Sequence, residues 1–197
     1  MTTAYATADL VKPETTAVAM DGSLQFWAGL SYGSASLVQY LVLSGRLHLP
    51  HPAMIGLIWM VASIAFVLFG VILRVGSDHL LRKDPAVRRF RAVWGSLILG
   101  AAVVIIALII MLVKLGLGGS SNTIVSPIAM AAYGIGWRVA AVLSAKRWPN
   151  ILSVGCFASA IALASLAGTA EQPLVYALSL VIFAILPGLY LMRRTAN

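Results

Sequence analysis

Charged residues are scarce in this sequence. Only 10% of its residues are Asp, Glu, Lys or Arg, whereas roughly a quarter of the residues of a soluble domain are charged. Hydrophobic residues make up 60%, and the mean hydropathy is +0.94. These values exclude an ordinary soluble domain and predict a membrane protein. Each membrane crossing needs about 20 residues, so the 197 residues suit one helical bundle and leave no room for a second folded domain.

Acidic residues and cysteine are scarcer still. Six acidic residues stand against fourteen Lys and Arg, which gives a net charge of +8. Because the basic residues lie at the ends of apolar blocks, membrane orientation explains them better than a nucleic-acid partner does. The single cysteine, Cys156, excludes an intrachain disulfide. The N-terminus lacks a basic stretch followed directly by an apolar one, so no cleavable signal peptide is expected.

Catalytic groups are missing from the apolar blocks, which contain no Asp, Glu or His. Their serines have no base nearby for nucleophilic catalysis, and a proton relay would need ionisable groups at depth. There is no P-loop, no dinucleotide-binding glycine pattern and no zinc spacing. We therefore expect neither enzymatic activity nor a cofactor, although an enzyme that borrows residues from a partner stays open.

What the sequence does contain is a series of apolar blocks, which predicts an all-α polytopic integral membrane protein with six transmembrane helices in one bundle. Residues 1–23 are interpreted as a flexible polar cytoplasmic tail, and residues 24–194 as the transmembrane domain. The six predicted helices cover residues 26–44, 53–73, 92–113, 124–145, 151–167 and 174–192. The first is the most polar block, and the third has no polar residue at its centre.

Local signals refine three of these helices. Gly29 and Gly33 form a small-xxx-small pair that permits close helix approach. Asp84 before Pro85 predicts the start of the third helix, because aspartate caps helices and proline suits the first helical position. Pro187 lies inside the last block and should kink that helix or end its regular part early.

A basic segment, defined as residues 74–94, separates the second and third blocks and fixes the predicted orientation. With six crossings, eleven Lys and Arg residues fall on the side of the termini, six of them in this segment, and only Arg46 and Lys114 fall on the other. The positive-inside rule then places both termini in the cytoplasm. Short loops and the lack of a soluble domain favour a bacterial inner membrane.

Arg138 is the one charge well inside a predicted crossing. A buried charge raises a functional hypothesis by default, here a polar pocket for an anion or a lipid headgroup. The residues expected to share this pocket are Tyr32, Gln39, Tyr40, Tyr133 and Arg138. The alternative is that the arginine side chain extends to the lipid phosphates at the cytoplasmic surface.

His48 and His51 lie three residues apart in the predicted outer connector. They are weak candidate metal ligands, because no third histidine, cysteine or carboxylate is close by and prolines interrupt the loop. A simple interfacial turn is the alternative interpretation.

The basic segment offers a surface for anionic lipid headgroups or an acidic partner. Its candidate contact residues are Arg82, Lys83, Arg88, Arg89 and Arg91. A purely topogenic role is the simpler alternative. The first functional hypothesis is a non-enzymatic accessory, scaffold or sensor subunit that associates with lipid, a protein partner or a second copy of itself. The other hypothesis is a small transporter or channel with a polar site around the first helix and Arg138.

Overall fold

The structure, a computed structural model, describes residues 22–51, 53–81, 85–116 and 121–196, and helices account for most of them. The helices are α1 (Ser23–Leu43), α2 (Met54–Leu81), α3 (Pro85–Lys114), α4 (Ser121–Ser144), α5 (Trp148–Ser165), α6 (Glu171–Leu180) and α7 (Leu186–Ala196). A π-helical turn, Val181–Ile185, joins α6 to α7. Helix α6, the π-helical turn and α7 together form the C-terminal helix.

The predicted all-helical membrane fold is confirmed. In the described part of the chain, five helices are long and apolar enough to cross a membrane. Their apolar windows are Met54–Ile72, Gly95–Lys114, Thr123–Ser144, Trp148–Ser165 and Glu171–Arg193. Helix α1 has 21 residues but is less apolar than these five.

Two helices extend beyond their apolar windows. Helix α2 continues past the predicted end of its crossing to Leu81, so the basic segment begins as helix and not as a connector. Helix α3 begins at Pro85, as the proline at that position predicts. Of the predicted N-terminal tail, residues 1–21 lie outside the described residues.

Each helix packs against the next in the spatial order α2, α1, C-terminal helix, α5, α4 and α3. The core lies where α4, α5 and the C-terminal helix meet, and its fully buried side chains include Met130, Trp137, Cys156, Leu163 and Ala184. Helices α2 and α3 occupy the periphery, where only 6% of the residues in each apolar window are buried, against 44% in the C-terminal helix. The bundle thus has a packed centre and two helices that are largely uncovered by the rest of the chain.

Helix α1 lies antiparallel to the C-terminal helix. At one end, a side chain at Gly188 would collide with the backbone of Gly22. At the other end, the Ser36 hydroxyl donates a hydrogen bond to the Pro173 carbonyl at 2.8 Å. Ser36 lies fourteen residues after Gly22, the N-cap of α1, or about 21 Å along the helix at 1.5 Å per residue. The start of α1 and the end of α7 therefore lie at the same end of the bundle.

Glycines allow this close approach. A Cβ atom added at Gly29 would lie 2.6 Å from Cγ1 of Ile185, and one at Gly33 would touch Leu180 at 3.9 Å. Both glycines of the predicted pair therefore face the C-terminal helix, which confirms the predicted close approach.

The C-terminal helix accommodates Pro187 without breaking. The backbone widens into the π-helical turn Val181–Ile185, in which the Leu186 N–H donates to the Val181 carbonyl, and regular helix resumes to Ala196. The regular α-helix ends at Leu180, before the π-helical turn, which agrees with the predicted early end of its regular part. Proline lacks the N–H that a regular helix requires, and a π turn is one way for the chain to absorb that defect.

Candidate functional site

An aromatic cluster lies between α1, α2 and the C-terminal helix. The Trp59 indole sits between two phenol rings, with ring centroids 6.2 Å from Tyr32 and 6.4 Å from Tyr176. Tyr32 also contacts the Phe66 ring at 5.5 Å. Tyr32 is nine residues into α1, or about 14 Å along the helix.

A glutamine on α1 holds this cluster in place. The Trp59 Nε1–H donates to Oε1 of Gln39 at 2.8 Å, and Gln39 is buried. An indole N–H in an apolar interior needs such an acceptor. The hydrogen bond fixes α2 against α1, which explains why a polar residue occurs in the first apolar block.

Tyr133 on α4 completes the cluster from the opposite side. Tyr133 and Tyr32 both pack against the core cluster that contains Tyr176 and Cys156. The group thus brings together three phenols and one thiol but no carboxylate or imidazole. Phenols and indoles of this kind donate and accept hydrogen bonds, yet they contain no general base that could act near neutral pH.

The structure brings together only part of the predicted polar pocket. Tyr32, Gln39 and Tyr133 share the cluster. Tyr40 lies toward the connector after α1, where the Arg46 guanidinium stacks over its ring at 5.8 Å.

Arg138 lies apart from that cluster, exposed near the end of α4. Its Nη1 donates to the Asn150 side-chain oxygen in the first turn of α5 at 2.7 Å. The neighbouring residue, Trp137, is fully buried. Arg138 therefore does not line the interior with the three pocket residues.

The two outer histidines are both exposed. Nδ1 of His51 accepts a hydrogen bond from the Ala53 backbone N–H at 3.1 Å, which stabilises the turn into α2. No group of three or more His, Cys, Asp or Glu side chains with metal-binding geometry occurs among the residues that the structure describes.

The structure describes only part of the predicted surface for lipid or a partner. Arg82 and Lys83 lie outside the described residues, and Arg88, Arg89 and Arg91 belong to the first two turns of α3. Their role as a contact surface stays a prediction.

Two carbonyl groups in the interior accept hydrogen bonds that sequence reasoning missed. In a regular helix, the carbonyl four residues before a given position accepts that position's N–H, which proline lacks. Phe183 lies four residues before Pro187, inside the π-helical turn, and the Trp137 Nε1–H donates to its carbonyl at 3.0 Å.

The same arrangement recurs at Pro127, which lies inside α4. The carbonyl four residues earlier belongs to Thr123, and Nε2 of Gln172 donates to it at 2.7 Å. The same amide also donates to the Leu163 carbonyl at 3.0 Å, so one buried side chain joins three helices. Prolines inside apolar blocks are the sequence signal for such sites, but the donors come from distant parts of the chain.

Another side-chain hydrogen bond links two helices without a proline. Oγ of Ser153 donates to the Gly134 carbonyl at 2.7 Å, which links α5 to α4. In lipid the hydrophobic effect does not drive helices together, so packing and hydrogen bonds of this type carry their association. The polar groups named here are used to hold the bundle together.

A groove of about 430 Å³ opens between α1 and α2. Alanines 35, 62 and 65 line it, and the Trp27 and Phe69 rings stack at one end with centroids 4.0 Å apart. Since it lies on the outer surface of the bundle, it faces the surroundings of the protein and not the aromatic cluster.

Comparison of the chain with protein-family models, with curated proteins and with solved structures finds no match.

Proposed function

We propose that this chain is a non-enzymatic integral membrane protein that acts by association, as an accessory or scaffold subunit or a small sensor. It would sit in a bacterial inner membrane, cross it six times and keep both termini in the cytoplasm. The observation that carries the proposal is the contrast between the packed centre and the uncovered helices α2 and α3, in whose apolar windows 6% of the residues are buried. Surfaces of this extent are available to lipids and to partner helices.

The polar interior supports association over transport. A transport site needs polar side chains around a water-filled path near the midplane. Instead, Gln39 and Gln172 make hydrogen bonds between helices, and Trp137 fills the centre with no exposed surface. Arg138, on which the transport hypothesis depended, is exposed and bonded to Asn150.

The packing of α1 supports the proposal that this helix makes the sixth crossing and that both termini lie on the same side of the membrane. Helix α1 follows the C-terminal helix from Gly188 back to Pro173, and that helix is one of the five apolar enough to span. An α-helix that accompanies a spanning helix over about 21 Å covers most of the hydrocarbon core. The eleven cationic residues on the side of the termini then give the orientation.

Photo-crosslinking in native membranes tests the association. Leu99, Val103, Ile106 and Ile110 lie on one face of α3, and each is more than half exposed. Ile105 and Leu112 face α4 and serve as matched controls. If α3 receives a partner helix, a photoreactive amino acid gives an intermolecular adduct of one defined mass at the four exposed positions and none at the two controls. A protein that stays monomeric in mild detergent and gives no adduct at any position would contradict the proposal.

A further inference from the structure

Cationic side chains surround the connector between α4 and α5, at the end of the bundle that holds the termini. Helix α4 ends at Ser144 and α5 begins at Trp148. The Trp148 ring contacts the Tyr190 ring of α7 with centroids 5.9 Å apart, so the end of the C-terminal helix lies beside this connector. The cationic residues near it are Arg138, Lys146, Arg147 and Arg193, of which Lys146 is half-buried and the other three are exposed.

No carboxylate balances these charges in the described part of the chain. Among the residues whose side chains the structure describes, Glu171 is the only acidic one. It lies in the first turn of α6, at the opposite end of the C-terminal helix. The hydrogen-bond acceptor of Arg138 is a neutral group, the Asn150 side chain. The described part of this surface therefore has an excess of positive charge, which an anion would stabilise.

Asn150 brings two of the guanidinium groups onto one surface. Its Oδ1 accepts a hydrogen bond from Nη1 of Arg138 at 2.7 Å. Arg147, the N-cap of α5, has helical backbone angles and lies three residues before Asn150, a spacing that places both on one face about 4.5 Å apart along the axis. Since the Asn150 oxygen is occupied, the side-chain groups left for a ligand are N–H donors. Cationic N–H donors in this arrangement suit the oxygens of a phosphate.

The level of these donors matches the headgroup layer of the bilayer. The apolar windows of α4, α5 and the C-terminal helix have their limits on this side at Ser144, Trp148 and Arg193. Trp148 and Tyr190 contact each other at the same level, and tryptophan and tyrosine favour the membrane interface. A phosphate bound here would lie at the depth of the lipid phosphates.

Toward the bilayer centre the same helix faces become apolar. Ile135 lies one turn from Arg138 on α4, and Val154 lies one turn from Asn150 on α5. These two side chains are 46% and 68% exposed. A free phosphate ion would contact only the N–H donors, whereas a phospholipid would contact the donors and the apolar side chains below them. The arrangement therefore favours a phospholipid over a phosphate ion.

We propose that Arg138, Arg147 and Asn150 bind the phosphate of an anionic phospholipid, whose acyl chains lie along the exposed faces of α4 and α5. Lys146 and Arg193 add positive charge around the site, which favours an anionic headgroup over one that carries an ammonium group. This inference goes beyond the proposed association, because the site requires no partner protein on α3.

Photo-crosslinking with a phosphatidylglycerol that carries a diazirine in its headgroup tests the site. The full chain is reconstituted in nanodiscs of phosphatidylethanolamine with a small fraction of the probe, and the adducts are located by peptide mass spectrometry. We expect an adduct within residues 138–150. Arg138→Gln and Arg147→Gln should each lower its yield about fivefold through the lost charge, and Asn150→Ala about threefold through the lost hydrogen bond.

A cation at the other end of the bundle provides the matched control. Arg46 is exposed and stacks over the Tyr40 ring, so Arg46→Gln removes the same charge without touching the site. The adduct within residues 138–150 should keep its yield in this variant. An adduct that persists in Arg138→Gln combined with Arg147→Gln, or that never forms in wild type, overturns the site.

Competition identifies the occupant. Unlabelled phosphatidylglycerol should suppress the adduct at least fivefold more strongly than unlabelled phosphatidylcholine does, and inorganic phosphate should leave it unchanged. Equal suppression by the two lipids overturns the anionic preference, and suppression by inorganic phosphate overturns the assignment to a lipid. The adducts of α3 with a partner protein are measured separately, so either proposal can fail while the other stands.

Discussion

The Trp137 indole donates a hydrogen bond to the carbonyl that lies four residues before Pro187. Nε1 of Trp137 donates to the Phe183 carbonyl at 3.0 Å, and Phe183 is the residue whose carbonyl a residue 187 N–H would bond in a regular helix. Within a bilayer an unpaired carbonyl has no water to turn to, and neighbouring helices must supply the donor. A proline in one helix and a tryptophan in another thus act as one structural unit.

Replacement of Trp137 with Phe tests this unit. The variant keeps an aromatic ring against Trp148, whose centroid lies 5.5 Å away, and removes only the donor and part of the ring volume. We expect a loss of about 1 kcal/mol in the free energy of unfolding, in the range measured for hydrogen bonds between membrane helices. In a Pro187→Ala background, where residue 187 has its own N–H, the same replacement should cost much less. Equal losses in both backgrounds, measured by unfolding in mixed micelles, would refute the coupling.

Gln172 should contribute to the stability of the bundle through two hydrogen bonds of its side-chain amide. Its Nε2 donates to two carbonyls, those of Thr123 and Leu163, and Gln172→Met keeps the size of the side chain but donates to neither. We expect a loss of about 1–2 kcal/mol, because two buried acceptors lose a donor. Gln25 is also buried and makes no side-chain hydrogen bond in the described part of the chain, so Gln25→Met is the matched control. Thermal unfolding that ranks the two variants in the opposite order would contradict this account.

Gly29 should tolerate no side chain. An added Cβ would lie 2.6 Å from Ile185 Cγ1 and 3.0 Å from the Ala184 Cβ, so Gly29→Ala must push α1 away from the C-terminal helix. We expect destabilisation of about 1–3 kcal/mol, as for other overpacked sites. Gly100 on α3 has no atom within 4 Å of an added Cβ, and Gly100→Ala should stabilise by up to about 1 kcal/mol through helix propensity. The two substitutions therefore differ in sign, and unfolding curves that shift in the same direction would rule out the tight contact.

Much of this architecture follows from the sequence because lipid imposes simple rules. Long apolar blocks give the spanning helices, and Pro85 gives the start of α3. Gly29 and Gly33 mark a close helix contact that the structure places against Ile185 and Leu180. These features depend on local composition, which a single sequence contains in full.

The candidate site was less accessible to sequence reasoning, because it depends on helix rotation. Successive residues of a helix point about 100° apart, so Trp137 is buried while Arg138 is exposed. An apolar block does not show which of its residues faces inward. Nor does it show that Trp137, 50 residues before Pro187, donates a hydrogen bond to the carbonyl four residues before that proline. Gln172 lies at the edge of a predicted crossing, where a polar residue gives no signal of its own.

Arg138 provides a test of that rotation. The side chain is exposed and its one hydrogen bond in the described part of the chain goes to the Asn150 side chain. Arg138→Leu should therefore change the free energy of unfolding by no more than about 0.5 kcal/mol, as for other surface substitutions. Expression level and thermal stability in detergent are the measurements. A severe loss would mean that the charge is engaged inside the bundle.

The most direct test of the six-crossing architecture is cysteine labelling from the two sides of the membrane. Cys156 is fully buried and can be replaced by Ser, after which single cysteines are introduced at Ser23, Leu47, Thr169 and Asn197. Leu47 and Thr169 lie in the connectors at the end of the bundle opposite the termini. We predict that an impermeant maleimide added outside intact cells labels positions 47 and 169, and that positions 23 and 197 react only after the membrane is opened. Labelling of position 23 and position 197 from opposite sides would contradict the crossing of α1 and the architecture built on it.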